Sequence, residues 1–186
     1  LLTYQKGDRA YYGIRQNMDI TNPTFLFYSE RIIRKMMEHY AKHPAIIGYQ
    51  VDNETSTYGA NNYGYHISFI NYLKKKFGTT ENLNKIWGLN YWGMTMNDWD
   101  EFPPRDGITN TAYKLEWERF KRKTVADYLT WQAGIVSEYK RNDQFITHCF
   151  LPMVQDFDQI GSSTTMDMMA ANVYHTTQDN FPGDEV

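Results

Sequence analysis

Cysteine is nearly absent from this chain: Cys149 is the only one in 186 residues. A single thiol excludes an internal disulfide framework and any metal site built from several cysteines. No apolar run approaches the length needed to cross a membrane, and no secretory apolar segment opens the chain. Neither sign of charge dominates. With 19 Lys and Arg against 22 Asp and Glu the formal net charge is −3, and the basic residues are scattered, so nothing marks a nucleic-acid partner. Internal repeats, low-complexity tracts and linker-like stretches are missing as well, which points to one domain. What is plentiful is aromatic rings, 16% of the residues, with 15 Tyr and 5 Trp. Rings of this size fill a large core, and they are also the side chains that stack on the C–H faces of sugars. Composition alone favours the core.

Local signals along the chain describe alternating helices and strands. Asn22-Pro23 makes a helix start, with Asn as the cap and Pro in the first helical position. Ile32, Ile33, Met36, Met37 and Tyr40 then recur at helical spacing, and His43-Pro44 ends the helix because a residue before proline resists the α conformation. A second helix carries Ile67, Ile70, Leu73 and Phe77, and Gly78 stops it. Thr79 or Thr80 caps a short helix that Gly88 closes. A long helix is expected near 112–139, with Leu115, Phe120, Tyr128, Ile135 and Tyr139 as its apolar positions, and a short one near Phe157 and Ile160.

Three apolar runs read as strands: 46–51, 144–150 and 168–174. Their order with the helices predicts an α/β fold with parallel strands. The first strand breaks abruptly into Asp52-Asn53-Glu54. Three polar side chains do not belong inside a buried strand, so they are expected at its carboxyl end, where parallel α/β folds build their active sites. An acidic surface loop, or a helix capped by Asn53, would look the same in sequence. The third strand delivers Asn172, Tyr174 and His175 to its end, so the same pocket should receive Asn172 and Tyr174 beside Glu54. His148, inside the second strand, reads as a core histidine before it reads as a site residue.

These segments carry a family resemblance. His43-Pro-Ala-Ile-Ile-Gly-Tyr-Gln-Val-Asp-Asn-Glu54 resembles the acid/base strand of the β-galactosidases of glycoside hydrolase family 42. Phe69-Ile-Asn-Tyr-Leu73, Leu83-Asn-Lys-Ile-Trp-Gly-Leu-Asn-Tyr-Trp92, Trp99-Asp-Glu-Phe-Pro-Pro104 and Glu118-Arg-Phe120 are similar to the stretches that follow it, and Asp167 to Tyr174 to a later strand. The Asn-Glu pair is shared by a whole clan of barrel glycosidases. The Trp-Gly-Leu-Asn-Tyr-Trp block is far more specific.

The resemblance implies a partial (β/α)8 TIM barrel, the middle strands and helices of a catalytic domain that residues 1–186 would occupy incompletely, cut at both ends. It implies hydrolysis of a galactoside substrate by a retaining mechanism, with Glu54 as general acid/base. It also implies Asn53 as donor to the sugar 2-hydroxyl, and Arg15, in Gly13-Ile-Arg-Gln, as the active-site arginine that precedes the acid/base strand. Asp52, which alternates away from its neighbours on an extended chain, is expected to be structural. No cofactor is implied; a homotrimer of the full-length protein is. Many family members bind zinc through a cysteine cluster, but Gln16 to Pro23 and Thr55 to His66 hold no cysteine, so zinc is not expected there. The nucleophilic glutamate of the family belongs to a later strand, and Glu185 follows too closely on the third strand here to be it. The segment alone is therefore expected to be inactive. The alternatives are another glycosidase of the clan, or a carbohydrate-binding barrel without hydrolysis.

Overall fold

The computed structural model describes residues 3–4, 7–11, 17–104, 110–150 and 166–172. Helix α1 spans Pro23–Tyr40, and the Asn22 side chain starts it by accepting the backbone N–H groups of Thr24 (3.0 Å) and Phe25 (3.1 Å). Strand β1 (Gly48–Asn53), helices α2 (Tyr63–Phe77), α3 (Thr80–Trp87) and α4 (Thr111–Ser137), and strands β2 (Phe145–Phe150) and β3 (Met168–Ala171) follow. The short helix expected near Phe157 lies outside the described residues.

The chain divides into two compact units. Residues 1–27 and 57–124 form one; residues 28–56 and 125–186 form the other. The first is held by packed rings. Tyr65, Phe69, Trp87, Phe102, Tyr113, Trp117 and Phe120 are all buried there, and Phe69 meets Trp117 edge-on at 4.9 Å. Much of the aromatic content is therefore core. Thr79 caps α3 by accepting the Asn82 N–H at 3.2 Å, and Gly88 ends it in the left-handed conformation (φ 67°) that a side chain would strain. Buried Glu116 of α4 is neutralised by Lys76, both of its oxygens lying 2.8 Å from Nζ, and by Arg119. Tyr72 adds its hydroxyl at 2.9 Å, so no bare charge is left inside.

The second unit is built on a three-stranded parallel sheet in the order β1-β2-β3. β2 is the middle strand and is buried along almost its whole length, as its apolar sequence requires. The first strand begins and ends later than its apolar run, because Asp52 and Asn53 remain within the ladder. Ile46 precedes it, and its carbonyl instead accepts the side chains of Arg141 (3.0 Å) and Gln144 (2.9 Å). Two expected faces differ. Ile32, Met36 and Tyr40 stand on an exposed side of α1 while Met37 is buried, and Leu115 of α4 is exposed while Glu116 and Trp117 are buried.

Gly48 opens β1 opposite Phe145, and a β-carbon there would lie 2.6 Å from the phenyl ring. Gly48→Ala should therefore destabilise the protein by about 1–3 kcal/mol, the usual cost of forcing atoms into a packed site. Gly134→Ala, in open space on α4, is the control and should not destabilise. Chemical denaturation of both variants checks the pair; equal midpoints would contradict the close approach.

Candidate active site

The carboxyl end of β1 does not run straight. Gln50 pairs with Thr147 and Asn53 with Cys149, so β1 uses one more residue than β2 over the same stretch. That is a β-bulge, a device that re-aims side chains at strand ends. The extra length is taken up where Asp52 adopts φ 52°, a left-handed conformation that Asp tolerates better than most residues. Its carboxylate fixes the bend from within: Oδ1 accepts the Asn53 N–H at 2.8 Å and Oδ2 accepts the Thr55 hydroxyl at 2.6 Å. Asp52 thus has the structural work expected of it, through a bend rather than through strand alternation. Glu54 is also left-handed (φ 52°), and its N–H donates to the Cys149 carbonyl at 2.9 Å.

His148 supports the same bend from β2. Its ring is 1% exposed, lies edge-on to Phe150, and puts Nδ1 2.6 Å from the Val51 carbonyl. A carbonyl only accepts, so Nδ1 carries the proton. Burial holds the His148 pKa below its ordinary value, against the opposing pull of the Val51 carbonyl and the Asp52 charge. Both observations make it a core histidine.

The bend brings Asn53 and Glu54, both half-buried, beside Asn172 at the end of β3. Asn172 Nδ2 donates to Glu54 Oε1 at 2.5 Å and reaches Asn53 Oδ1 at 3.5 Å. Asn172 is itself held: its N–H donates to the Phe150 carbonyl at 3.2 Å and its Oδ1 accepts from the Cys149 thiol at 2.7 Å. Gln50 Nε2 lies 3.2 Å from Asn53 Oδ1 and 2.9 Å from the Asp52 carbonyl. Asn53 therefore turns its oxygen toward Gln50 and Asn172 and its N–H₂ donor away from them.

Of the residues singled out from sequence, the structure brings Asn53, Glu54 and Asn172 together. Arg15 and Tyr174 lie outside the described residues. Asn172 touches the Glu54 carboxyl directly, a contact the sequence did not disclose. Gln50 and Cys149 were not foreseen at all; the available signal was period-2 alternation, which puts Cys149 one position before the end of its strand. Among the described residues no group of three or more His, Cys, Asp or Glu could hold a metal ion, and no helix is long and apolar enough to cross a membrane. The chemistry on offer is that of a carboxyl with one oxygen bonded to a fixed amide donor, next to a second carboxamide whose oxygen faces Gln50 and Asn172. Such a pair can exchange a proton with a hydroxyl-rich ligand and bind it.

Comparison with known proteins points the same way. The sequence profile of glycoside hydrolase family 42, described as β-galactosidase, matches residues 1–185. The β-galactosidase BgaA of Planococcus sp. (strain 'SOS Orange') is 40% identical over 132 residues, covering 65% of this chain and 19% of that protein. The β-galactosidase bgaB of Geobacillus kaustophilus is 30% identical over 132 residues, covering 68% of this chain and 20% of that protein. The crystal structure of a β-galactosidase from Bacillus circulans sp. alkalophilus shares the fold with a TM-score of 0.84 at 23% identity, over 97% of this chain and 28% of that one. The chain spans about a fifth of the length of these curated relatives.

Proposed function

The chain belongs to the β-galactosidases of glycoside hydrolase family 42, and from that membership we propose that it contributes the general acid/base, Glu54, to a retaining hydrolysis of terminal β-D-galactosides. The observation that carries this reading is the placement of Glu54: at the carboxyl end of a parallel strand, beside Asn53, with Asn172 of the next strand but one donating to Oε1. In a (β/α)8 barrel such strand ends converge on one pocket. The parallel order β1-β2-β3 and the exposed apolar side of α1 are what a section of such a barrel would present.

Retaining hydrolysis needs a second carboxylate about 5–5.5 Å from the acid/base. Asp52 is committed to Thr55 and to the Asn53 backbone, so it does not compete for that role. The nucleophile comes from another part of the full-length protein. In the first step Glu54 gives its proton to the glycosidic oxygen while the nucleophile attacks the anomeric carbon. Having given its proton to the leaving group, Glu54 is a carboxylate once the glycosyl-enzyme has formed. That is the base the second step needs to take a proton from water. Asn53 donates to the sugar 2-hydroxyl, a bond that strengthens as the anomeric carbon becomes cationic.

A panel of nitrophenyl glycosides offered to the full-length protein tests the reading. Hydrolysis of the β-D-galactoside in preference to the glucoside and mannoside, with the β-anomer of galactose formed first, is expected. Cleavage of none of them would favour a carbohydrate-binding barrel, and first release of the α-anomer would exclude retention.

A further inference from the structure

The thiol of Cys149 has no part in the chemistry above, although this buried side chain sits at the centre of the site. Its residue meets the acid/base by two routes. The Cys149 carbonyl takes the Glu54 N–H at 2.9 Å, and the Cys149 thiol lies 2.7 Å from Oδ1 of Asn172, whose Nδ2 is 2.5 Å from Glu54 Oε1. We propose that Cys149 is a positioning residue: its S–H fixes which end of the Asn172 carboxamide faces Glu54, and so which Glu54 oxygen carries the transferable proton. The inference rests on Glu54 being the acid/base.

A carboxamide has nearly the same shape when rotated by half a turn, but its two ends do opposite things. With Nδ2 toward Glu54, Oε1 must accept, and a proton on Oε1 would meet another proton head-on. The acid proton is then confined to Oε2. With the amide reversed, Oδ1 would accept a proton from Oε1, and the acid would spend its proton on Asn172 instead of on a leaving group. The thiol decides between the two. An S–H donates to Oδ1 in the observed orientation, whereas the reversed amide would aim N–H donors at a weakly accepting sulfur. Burial, and after it the Glu54 charge, pushes the thiol pKa up, which keeps the proton on sulfur.

Among the described residues of this unit, the ionisable groups next to Glu54 on its own strand and on β2 are occupied. Asp52 on its own strand braces the bend, and His148 on β2 holds the Val51 carbonyl. The described part of β3 brings no ionisable side chain; Asp167, just before it, holds the Ile146 N–H at the opposite end of the strand. The hydrogen bonds that link the thiol to the Glu54 carboxyl run through Asn172.

In the intact enzyme, Cys149→Ala should lower kcat on a lactose-like disaccharide about 3–10-fold, the usual worth of one hydrogen bond, with little change in KM. Cys149→Ser keeps a donor and should restore most of the rate. A second reading needs neither activity nor a stable Cys149→Ala variant. The S–H stretch, isolated as an infrared difference between the unmutated protein and Cys149→Ser, should lie at a hydrogen-bonded frequency, and Asn172→Ala should return it to that of a free thiol. A free-thiol band in the unmutated protein would overturn the proposal. So would a serine variant as impaired as the alanine one. If the unmutated protein cleaves no galactoside, the functional reading is what fails, and the infrared band still decides the contact.

Discussion

On the proposed role, Glu54→Gln in the full-length protein should lower turnover of lactose-like disaccharides by about 10²–10⁴-fold, the usual contribution of acid–base catalysis. The amide has the shape of the carboxyl but has no proton to give. Nitrophenyl galactosides lose much less in the glycosylation step, because their leaving groups depart without protonation. The second step still lacks its base, so glycosyl-enzyme accumulates and a burst of nitrophenol precedes slow turnover. The variant should keep the fold: Glu54 is half-buried, and its backbone N–H bond to Cys149 does not depend on the side chain. The burst rate and kcat/KM, which report the glycosylation step, check this on the two substrate classes. Equal losses on both would count against Glu54 as the proton donor.

Asn53→Ala is the second large effect. Its proposed role is to donate to the sugar 2-hydroxyl, and its Oδ1 accepts from Gln50 Nε2 at 3.2 Å. A hydrogen bond to a centre that gains charge in the transition state is worth about 1.5–3 kcal/mol, or roughly 10–150-fold in rate. Because the bond strengthens during reaction, the loss should fall on kcat more than on KM. A 2-deoxy-galactoside should show much of that loss with the unmutated enzyme and little further loss with Asn53→Ala. A double cycle of the mutation against the missing hydroxyl separates the outcomes. Fully additive losses would mean that Asn53 does not touch the 2-hydroxyl.

Features decided within a few residues were legible in the sequence. Asn22-Pro23, Thr79, Gly78 and Gly88 punctuate helices through local backbone chemistry, and all four act where their residue types suggest. The break from Val51 into Asp52-Asn53-Glu54 marked the end of a strand for the same reason. Features decided by pairing were not legible. The bulge exists only in the register of β1 against β2, so strand alternation gave Asp52 its structural role by the wrong route. Asn172 meets Glu54 across 118 residues of sequence, and no local pattern encodes which carboxyl it will bind. Cys149, read at first only for the disulfides it excludes, acquires its place from two neighbouring strands. Leu115 shows the limit of helical spacing, for the buried side of α4 is chosen by the rings around Trp117.

The most direct test of the acid/base assignment is the anomeric configuration of the sugar azide formed when Glu54→Ala turns over a nitrophenyl β-galactoside in the presence of azide. Removing the acid/base opens space on the face from which water attacks the glycosyl-enzyme, and azide needs no base to attack there. The account predicts β-galactosyl azide together with a faster release of nitrophenol. Formation of α-galactosyl azide would contradict it, since azide would then stand where the nucleophile had been and Glu54 would be that nucleophile.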